Sequence, residues 1–477
     1  MPPPDWFRKA LTALSVWFFF IYGVVVFFRL WYPYSLELYE GVMAEQVLRI
    51  LEGRVLYVEP SLEYIPSVYP PLYFYLSALV AKFSGIGFFP LRLVSFAASL
   101  GAFFLVYLLV KKETGNKGIA LASAALLAAV YKINRDWYDI ARVESLFLFW
   151  TLAALCGIRF AKTAKGLALA GLCAGLAFLS KQTALVIFLP LFFYSIFVHR
   201  GRSFWLIGTA AAVIGLTTVY FERVSGGWYA YYLFKIPGQH AASFIGDRVW
   251  GFWLKDLLAG LPIAFPLALV FFFGKDPGLP AKTKFFYICA ALGMLGVSWL
   301  GRLPEGGARN ALFPAFAWVA VVSGLSAAAF LAKGKDTAVY FLCALQLALL
   351  LYDPLMRLPT RESYQAGENT VKRMAQAQGE VYAPSLPFVP RLAGKRSYAH
   401  PTLLKDIRGA DPERGEQLIA QTRQAFKDGK FAAIFFEPNF FDQPFGKNYV
   451  KAEPVSLTGA RFWAHLNGDK VYERRSV

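Results

Sequence analysis

Two short stretches of this chain concentrate carboxylates beside aromatic and cationic side chains. The first, Leu36-Glu-Leu-Tyr-Glu-Gly-Val-Met-Ala-Glu-Gln, places Glu37 and Glu40 just ahead of an amphipathic pattern. The second, Asn134-Arg-Asp-Trp-Tyr-Asp-Ile-Ala-Arg-Val-Glu-Ser, crowds Asp136, Asp139, Arg142 and Glu144 at the mouth of an apolar run. One carboxylate that accepts the proton of an attacking hydroxyl, with another that orients the acceptor or holds a divalent ion, is the equipment of a group transferase. The same residue types also cap helices or favour their dipoles, and Arg142 is placed to pair with Asp139 or Glu144; a paired carboxylate can still position a reactant.

A transferase acting on a phosphate ester also needs cations for the departing phosphate. Lys181 stands in Leu179-Ser-Lys-Gln-Thr-Ala, between two apolar runs, and Arg302 and Arg309 flank the glycine-rich Gly301-Arg-Leu-Pro-Glu-Gly-Gly-Ala-Arg-Asn. These three are the candidates for gripping a phosphate, with snorkelling to lipid headgroups as their ordinary alternative. Glu37, Tyr39, Arg142, Gln182 and His240 complete the set of candidate substrate contacts. With four histidines in the chain and none spaced as a ligand pair, a histidine metal site is not expected. The acidic loops permit a divalent cation without requiring one.

What must position these residues is a membrane domain. Of 477 residues 57% are apolar and 17% charged, and the mean hydropathy is +0.44, too apolar and too long for one soluble core. Apolar runs predict eleven spans, at 11–30, 88–110, 118–133, 144–160, 166–180, 183–198, 203–220, 256–273, 285–300, 311–330 and 337–352. The net charge of +18 does not signal nucleic acid, because much of the excess sits in short loops. Starting from a cytoplasmic N-terminus, Lys111, Lys112 and Lys117, then Arg159, Lys162 and Lys165, Arg200 and Arg202, Lys275, Lys282 and Lys284, and Lys333 and Lys335 all fall inside, as the positive-inside tendency demands. This holds only if Pro70–Gly85, rich in Tyr and Phe, is an interfacial helix that does not cross. The opposite face then receives the loops 31–87, 134–143, 221–255 and 301–310, together with the Lys181-Gln182 turn. The four cysteines lie inside apolar runs without metal spacing and read as packing residues.

From about Pro354 the composition becomes soluble. A strand-like Glu380-Val-Tyr-Ala, an amphipathic helix near 413–427 and a strand-like 431–436 ending at Glu437 predict a small C-terminal α/β domain over 354–477, outside the membrane, after a transmembrane domain over 1–353.

The order of several short motifs resembles the multi-spanning GT-C glycosyltransferases, in particular the protein O-mannosyltransferases and the lipid A aminoarabinose transferases. The motifs are Tyr39-Glu40-Gly with Ala44 and a helix running to Glu52-Gly53, Tyr69-Pro-Pro-Leu-Tyr, Arg92-Leu-Val-Ser, Ala141-Arg-Val-Glu144-Ser, and Ser180-Lys-Gln-Thr, over roughly residues 1–330. The family usually has Asp-Glu where this chain has Tyr39-Glu40, and Asp where it has Glu144. The resemblance implies a polyprenyl-phosphate sugar donor, inversion at the anomeric carbon, and an acceptor that is a lipid, glycan or protein. It makes Glu40 the first acidic position and Glu144 the second. The expected base is Glu40, with Asp139 as second choice, in the cytoplasmic membrane of a prokaryote. The competing class is a multi-pass transporter or lipid flippase, but no paired halves are evident.

Overall fold

The structure is a computed structural model that describes residues 5–239, 245–273, 280–304, 306–435, 448–457, 459–463, 466 and 470–475. Its helices, in chain order, are α1 (Asp5–Leu30), α2 (Glu40–Leu51), α3 (Leu72–Ser84), α4 (Phe88–Thr114), α5 (Lys117–Ala129), α6 (Glu144–Phe160), α7 (Ala164–Ser180), α8 (Ala184–His199) and α9 (Ser203–Ser225). After two π-helical turns at Tyr231–Lys235 and Phe252–Leu258 come α10 (Ala264–Phe273), α11 (Ala281–Arg302), α12 (Phe313–Leu331) and α13 (Asp336–Leu349). α1 and α4 to α13 are the eleven helices expected as spans. Several are short: α5, α7 and α10 have 13, 17 and 10 residues, so at about 1.5 Å per residue they need neighbours or local thinning to bridge a bilayer.

Contacts between helix ends fix the alternation of direction. One end of the bundle gathers Arg29, Arg92, Glu144, Lys181 and Asn310 through mutual contacts. At the other end Arg159, closing α6, pairs with Glu113 at the end of α4 and donates to Thr283 near the start of α11, while His199 meets the Ile158 carbonyl. α8 and α9 form one unbroken run of helical turns, 184–225, 42 residues long. The run nevertheless crosses twice. A Cβ on Gly171 would press on the Leu206 carbonyl and one on Gly175 on Val213, so position rises along both helices, α7 and α9 are parallel, and α8 must return between them. The reversal sits at Arg200–Arg202, where Arg200 adopts φ +53°.

α3 does not cross. Its first turn is tied to the first turns of α4 by the Tyr73 hydroxyl, 2.8 Å from the Leu91 carbonyl and 2.9 Å from Ser95 Oγ. Just before it, Tyr69 lies beside Arg142 and the Val68 carbonyl accepts from Gln182. Both ends of α3 therefore lie on the face that carries the acidic loops, whereas a crossing helix of 13 residues would separate them by about 20 Å.

The C-terminal part is a small α/β unit. Its sheet has the order β1-β2-β4-β3, with β1 (Glu380–Tyr382) parallel to β2 (Phe431–Phe435) and β4 (Val471–Arg474) antiparallel to both β2 and β3 (Tyr449–Lys451). It is flanked by α14 (Arg361–Gln376), α15 (Pro401–Ala410) and α16 (Pro412–Lys427). The expected strand end at Phe436 and Glu437 lies outside the described residues. The unit docks on the first acidic loop: Arg391 pairs with Glu45, Lys430 with Glu63 and Arg414 with Glu59, and Trp463 donates its indole N–H to the Tyr32 hydroxyl, which donates in turn to the Ser363 carbonyl. At Gly41 any Cβ would overlap the Pro387 carbonyl oxygen, so α2 admits only glycine where the unit rests on it.

A membrane-impermeant maleimide should label Arg54→Cys and Ser84→Cys from the same side of sealed vesicles and Lys117→Cys from the other. Labelling of Ser84→Cys together with Lys117→Cys would mean that α3 crosses.

Candidate active site

The two acidic loops converge on a buried guanidinium. Arg92 of α4 spends all five of its N–H donors. Nε donates to Glu40 Oε1 at 2.9 Å, Nη2 to Glu40 Oε2 at 2.7 Å and to the Tyr34 carbonyl at 2.6 Å, and Nη1 to the carbonyls of Arg29 at 3.0 Å and Tyr32 at 2.5 Å. Glu40, at the first position of α2, also accepts from the backbone N–H groups of Leu36 at 2.6 Å and Ala141 at 2.7 Å. Burial pushes this carboxyl up, but the Arg92 charge and the four hydrogen bonds outweigh it and hold it below the usual range. A carboxylate so held has no oxygen left to take a proton from a substrate. The expectation that Glu40 is the base gives way to an anchoring role.

Asp139 is held by an arginine too, with fewer hydrogen bonds. It lies 2.8 Å from Arg29 Nε, and Tyr131 donates its hydroxyl to Oδ1 at 2.8 Å; its side chain is 1% exposed. Arg29 also donates to the Asp136 carbonyl, and Asp136 pairs with Arg357 beyond the last span. The arginine that holds Asp139 is thus Arg29, not Arg142.

Arg142 instead bridges the two remaining carboxylates. Its Nη1 is 3.7 Å from Glu37 Oε2 and its Nε 3.7 Å from Glu144 Oε2. Its guanidinium stands over the rings of Tyr39 at 4.7 Å and Trp137 at 5.0 Å, with Tyr69 at 5.9 Å, an arrangement that orients the cation and keeps it desolvated. Glu144 opens α6, where the helix dipole favours a carboxylate; its Oε1 accepts from Lys181 Nζ at 3.2 Å and from the Asn310 amide at 2.7 Å. Glu37 is the accessible member. Its side chain is 22% exposed, against 1% for Glu144 and none for Glu40, and it accepts from the Tyr39 N–H at 3.0 Å. Burial raises its carboxyl above the ordinary range, with Arg142 and that N–H pulling back only in part. The site therefore offers a reachable carboxylate of elevated basicity beside two cations, an arrangement able to take a proton while a nearby anion is stabilised.

The other expected contacts separate. Gln182 is structural glue, donating to the carbonyls of Val68 at 2.8 Å and Leu233 at 3.3 Å. Arg302 is paired with Asp256 at 2.8 Å, which corrects its reading as a free phosphate ligand, and Arg309 donates to the Ile133 carbonyl at 3.0 Å. His240 lies outside the described residues. Among the described residues no group of three or more His, Cys, Asp or Glu side chains is arranged to hold a metal ion. Asn310, Trp137 and the anchoring arginines Arg29 and Arg92 received no role from sequence. The signal was there for the arginines, since a charge inside or at the end of an apolar run is costly unless it is paired.

Comparison with known proteins agrees with this architecture. Residues 68–221 match the family of dolichyl-phosphate-mannose-protein mannosyltransferases. No curated protein matches the chain in sequence. Among solved structures, ArnT from Cupriavidus metallidurans bound to undecaprenyl phosphate superimposes with a TM-score of 0.61 at 12% identity, over 89% of this chain and 93% of that one. The apo state of the same protein gives 0.60 at 12% identity, over 89% and 92%.

Glu40→Gln and Arg92→Lys should each destabilise the purified protein by about 3–5 kcal/mol, because either leaves the other partner buried and incompletely satisfied. Thermal unfolding in detergent checks this. Glu37→Gln should leave the midpoint within about 2 °C, as expected of a partly exposed side chain outside the ion-pair knot.

Proposed function

The chain has the fold of the GT-C glycosyltransferases, and from that premise we propose that it transfers a monosaccharide from a polyprenyl-phosphate donor to an acceptor hydroxyl, with inversion and with Glu37 as general base. The observation that carries the assignment is the pair of carboxylates bridged by Arg142, with Lys181 on the second of them and Glu37, the first, the most exposed carboxylate of the cluster. The neighbour crystallised with undecaprenyl phosphate supports a polyprenyl carrier. The basic loops lie on the face opposite the site, which supports a non-cytoplasmic side for the site and the C-terminal unit.

In this mechanism Glu37 takes the proton of the acceptor hydroxyl as its oxygen bonds to the anomeric carbon. The bond from that carbon to the phosphate oxygen breaks and its electron pair leaves with the phosphate. Lys181 and Arg142 stabilise the charge that develops there; Lys181 has three N–H donors and spends one on Glu144. Glu144, held by Asn310, aims both cations and does not itself accept the proton. Tyr39, in the place where the family has its usual acid, lies face-on to Arg142. That substitution shifts the base two residues upstream.

Radiolabelled sugar transfer from a panel of undecaprenyl-phosphate monosaccharides, by protein in nanodiscs, tests the reading. Glu37→Gln should lower turnover about 10²- to 10⁴-fold, the usual range for a lost general base, while donor KM stays within about threefold. Lys181→Gln should raise donor KM. The raised carboxyl of Glu37 sets a pH signature: the base works only when deprotonated, so turnover should fall with decreasing pH through a limb above the usual carboxylate range, and Arg142→Gln should move that limb higher. A Glu37→Gln protein with full turnover, or a wild type inactive with every donor, would defeat the proposal; a chelator arm reports on divalent cations.

A further inference from the structure

We infer that Arg302 is a positioning residue: its ion pair with Asp256 clamps the loop that presents Asn310 to Glu144, so that the segment 245–258 and the loop 299–310 act as one rigid arm of the active site. The inference rests on the glycosyl-transfer reading above.

The lacing between the two segments is dense and specific. The Ile245 N–H donates to the Leu303 carbonyl at 2.9 Å, and the Trp299 indole donates to the Val249 carbonyl at 3.1 Å. Arg248 Nη1 reaches the carbonyls of Arg302 at 3.3 Å, of Gly307 at 3.3 Å and of Pro304. Arg302 engages Asp256 through Nε at 2.8 Å and Nη2 at 3.4 Å, and turns Nη1 back onto the Gly307 carbonyl. Asp256 itself lies in the π-helical turn Phe252–Leu258, a local widening that often re-aims a side chain at a functional site.

The loop is folded hard against the end of α11. A Cβ on Gly307 would come within 2.6 Å of the Arg302 carbonyl oxygen and 2.7 Å of that of Gly301, so the chain can pass there only as glycine. Three residues on, Asn310 meets Glu144 Oε1 at 2.7 Å. The contact must be made by the amide nitrogen, because the amide oxygen would repel the carboxylate. Glu144 is in turn the group that holds Lys181. A relay therefore runs from Asp256 through Arg302, the Gly307 backbone and Asn310 to the carboxylate that aims the phosphate-binding cation. Apart from the stretch of chain from Gly307 to Asn310 each link is a short polar contact, and a misplacement near 1 Å at such a point costs on the order of 10²-fold in rate.

This role differs measurably from direct phosphate binding. In the full-length protein, Arg302→Gln, Gly307→Ala and Asn310→Ala should each lower kcat about 10- to 100-fold. The Kd for undecaprenyl phosphate should rise less for Arg302→Gln than for Lys181→Gln, because the cation is displaced and not removed. The double variant Arg302→Gln/Asn310→Ala should be no slower than the slower single one, since both cut the same relay. Hydrogen exchange supplies a readout independent of turnover: Arg302→Gln and Asp256→Asn should speed exchange at 303–312, and Asn310→Ala should not. Undecaprenyl phosphate binding weakened as much by Arg302→Gln as by Lys181→Gln, multiplicative losses in the double variant, or unchanged exchange at 303–312 would each overturn the inference. If the wild type proves inactive with all donors the functional reading falls, and the exchange experiment still decides whether Arg302 clamps the loop.

Discussion

The site depends on a single saturated guanidinium. Arg92 lies with no solvent exposure at the head of α4 and satisfies five donors on four residues: Glu40 twice, and the backbone of Arg29, Tyr32 and Tyr34. A buried arginine is costly unless every N–H is used, and here the requirement welds the exit of α1, the start of α2 and the start of α4 into one unit. Glu40 extends the weld to the second acidic loop through the Ala141 N–H. Arg142 and Glu144 follow immediately in sequence, so the knot sets where the reactive side chains stand.

Beyond the knot, charge is arranged in two kinds of pair. Arg29 with Asp139 and Arg92 with Glu40 are close and buried, and the second pair is joined by two hydrogen bonds, which is how low-dielectric surroundings make an ion pair tolerable. Arg142 with Glu37 and Glu144 is looser, at 3.7 Å on each side. Among the described residues the Nε of Arg142 and Oε2 of Glu144 have no hydrogen-bond partner, as is also true of Arg29 Nε and Asp139 Oδ2, but the latter two stand closer, at 2.8 Å. Tight pairs hold shape. Loose pairs leave capacity for a substrate, and only the loose set includes a carboxylate that solvent can reach.

The C-terminal unit is part of the same construction. Its contacts with Glu45, Glu59, Glu63 and Tyr32 fall on the first acidic loop, and the His400 ring packs edge-on to Tyr39 at 5.7 Å. The loop that carries Glu37 is thereby braced on one side by the membrane helices and on the other by the α/β unit.

The sequence by itself determined the membrane solvent and the eleven apolar helices, because apolar run length is a local quantity that a bilayer reads directly. It also marked the two acidic loops, and the motif order led to the right fold. Which carboxylate stays reachable was decided only by tertiary structure. Glu37, Glu40, Asp139 and Glu144 are chemically alike along the chain. Their difference lies in partners contributed from 29, 92, 142, 181 and 310, up to 166 residues apart in sequence. The same holds for Arg302, whose isolated appearance in a glycine-rich loop suggested a phosphate ligand until the packing of Asp256 against it showed the charge already spent. Whether a buried charge is anchor or reagent depends on how many of its hydrogen-bonding positions the fold has filled, and that number is not a property of any segment alone.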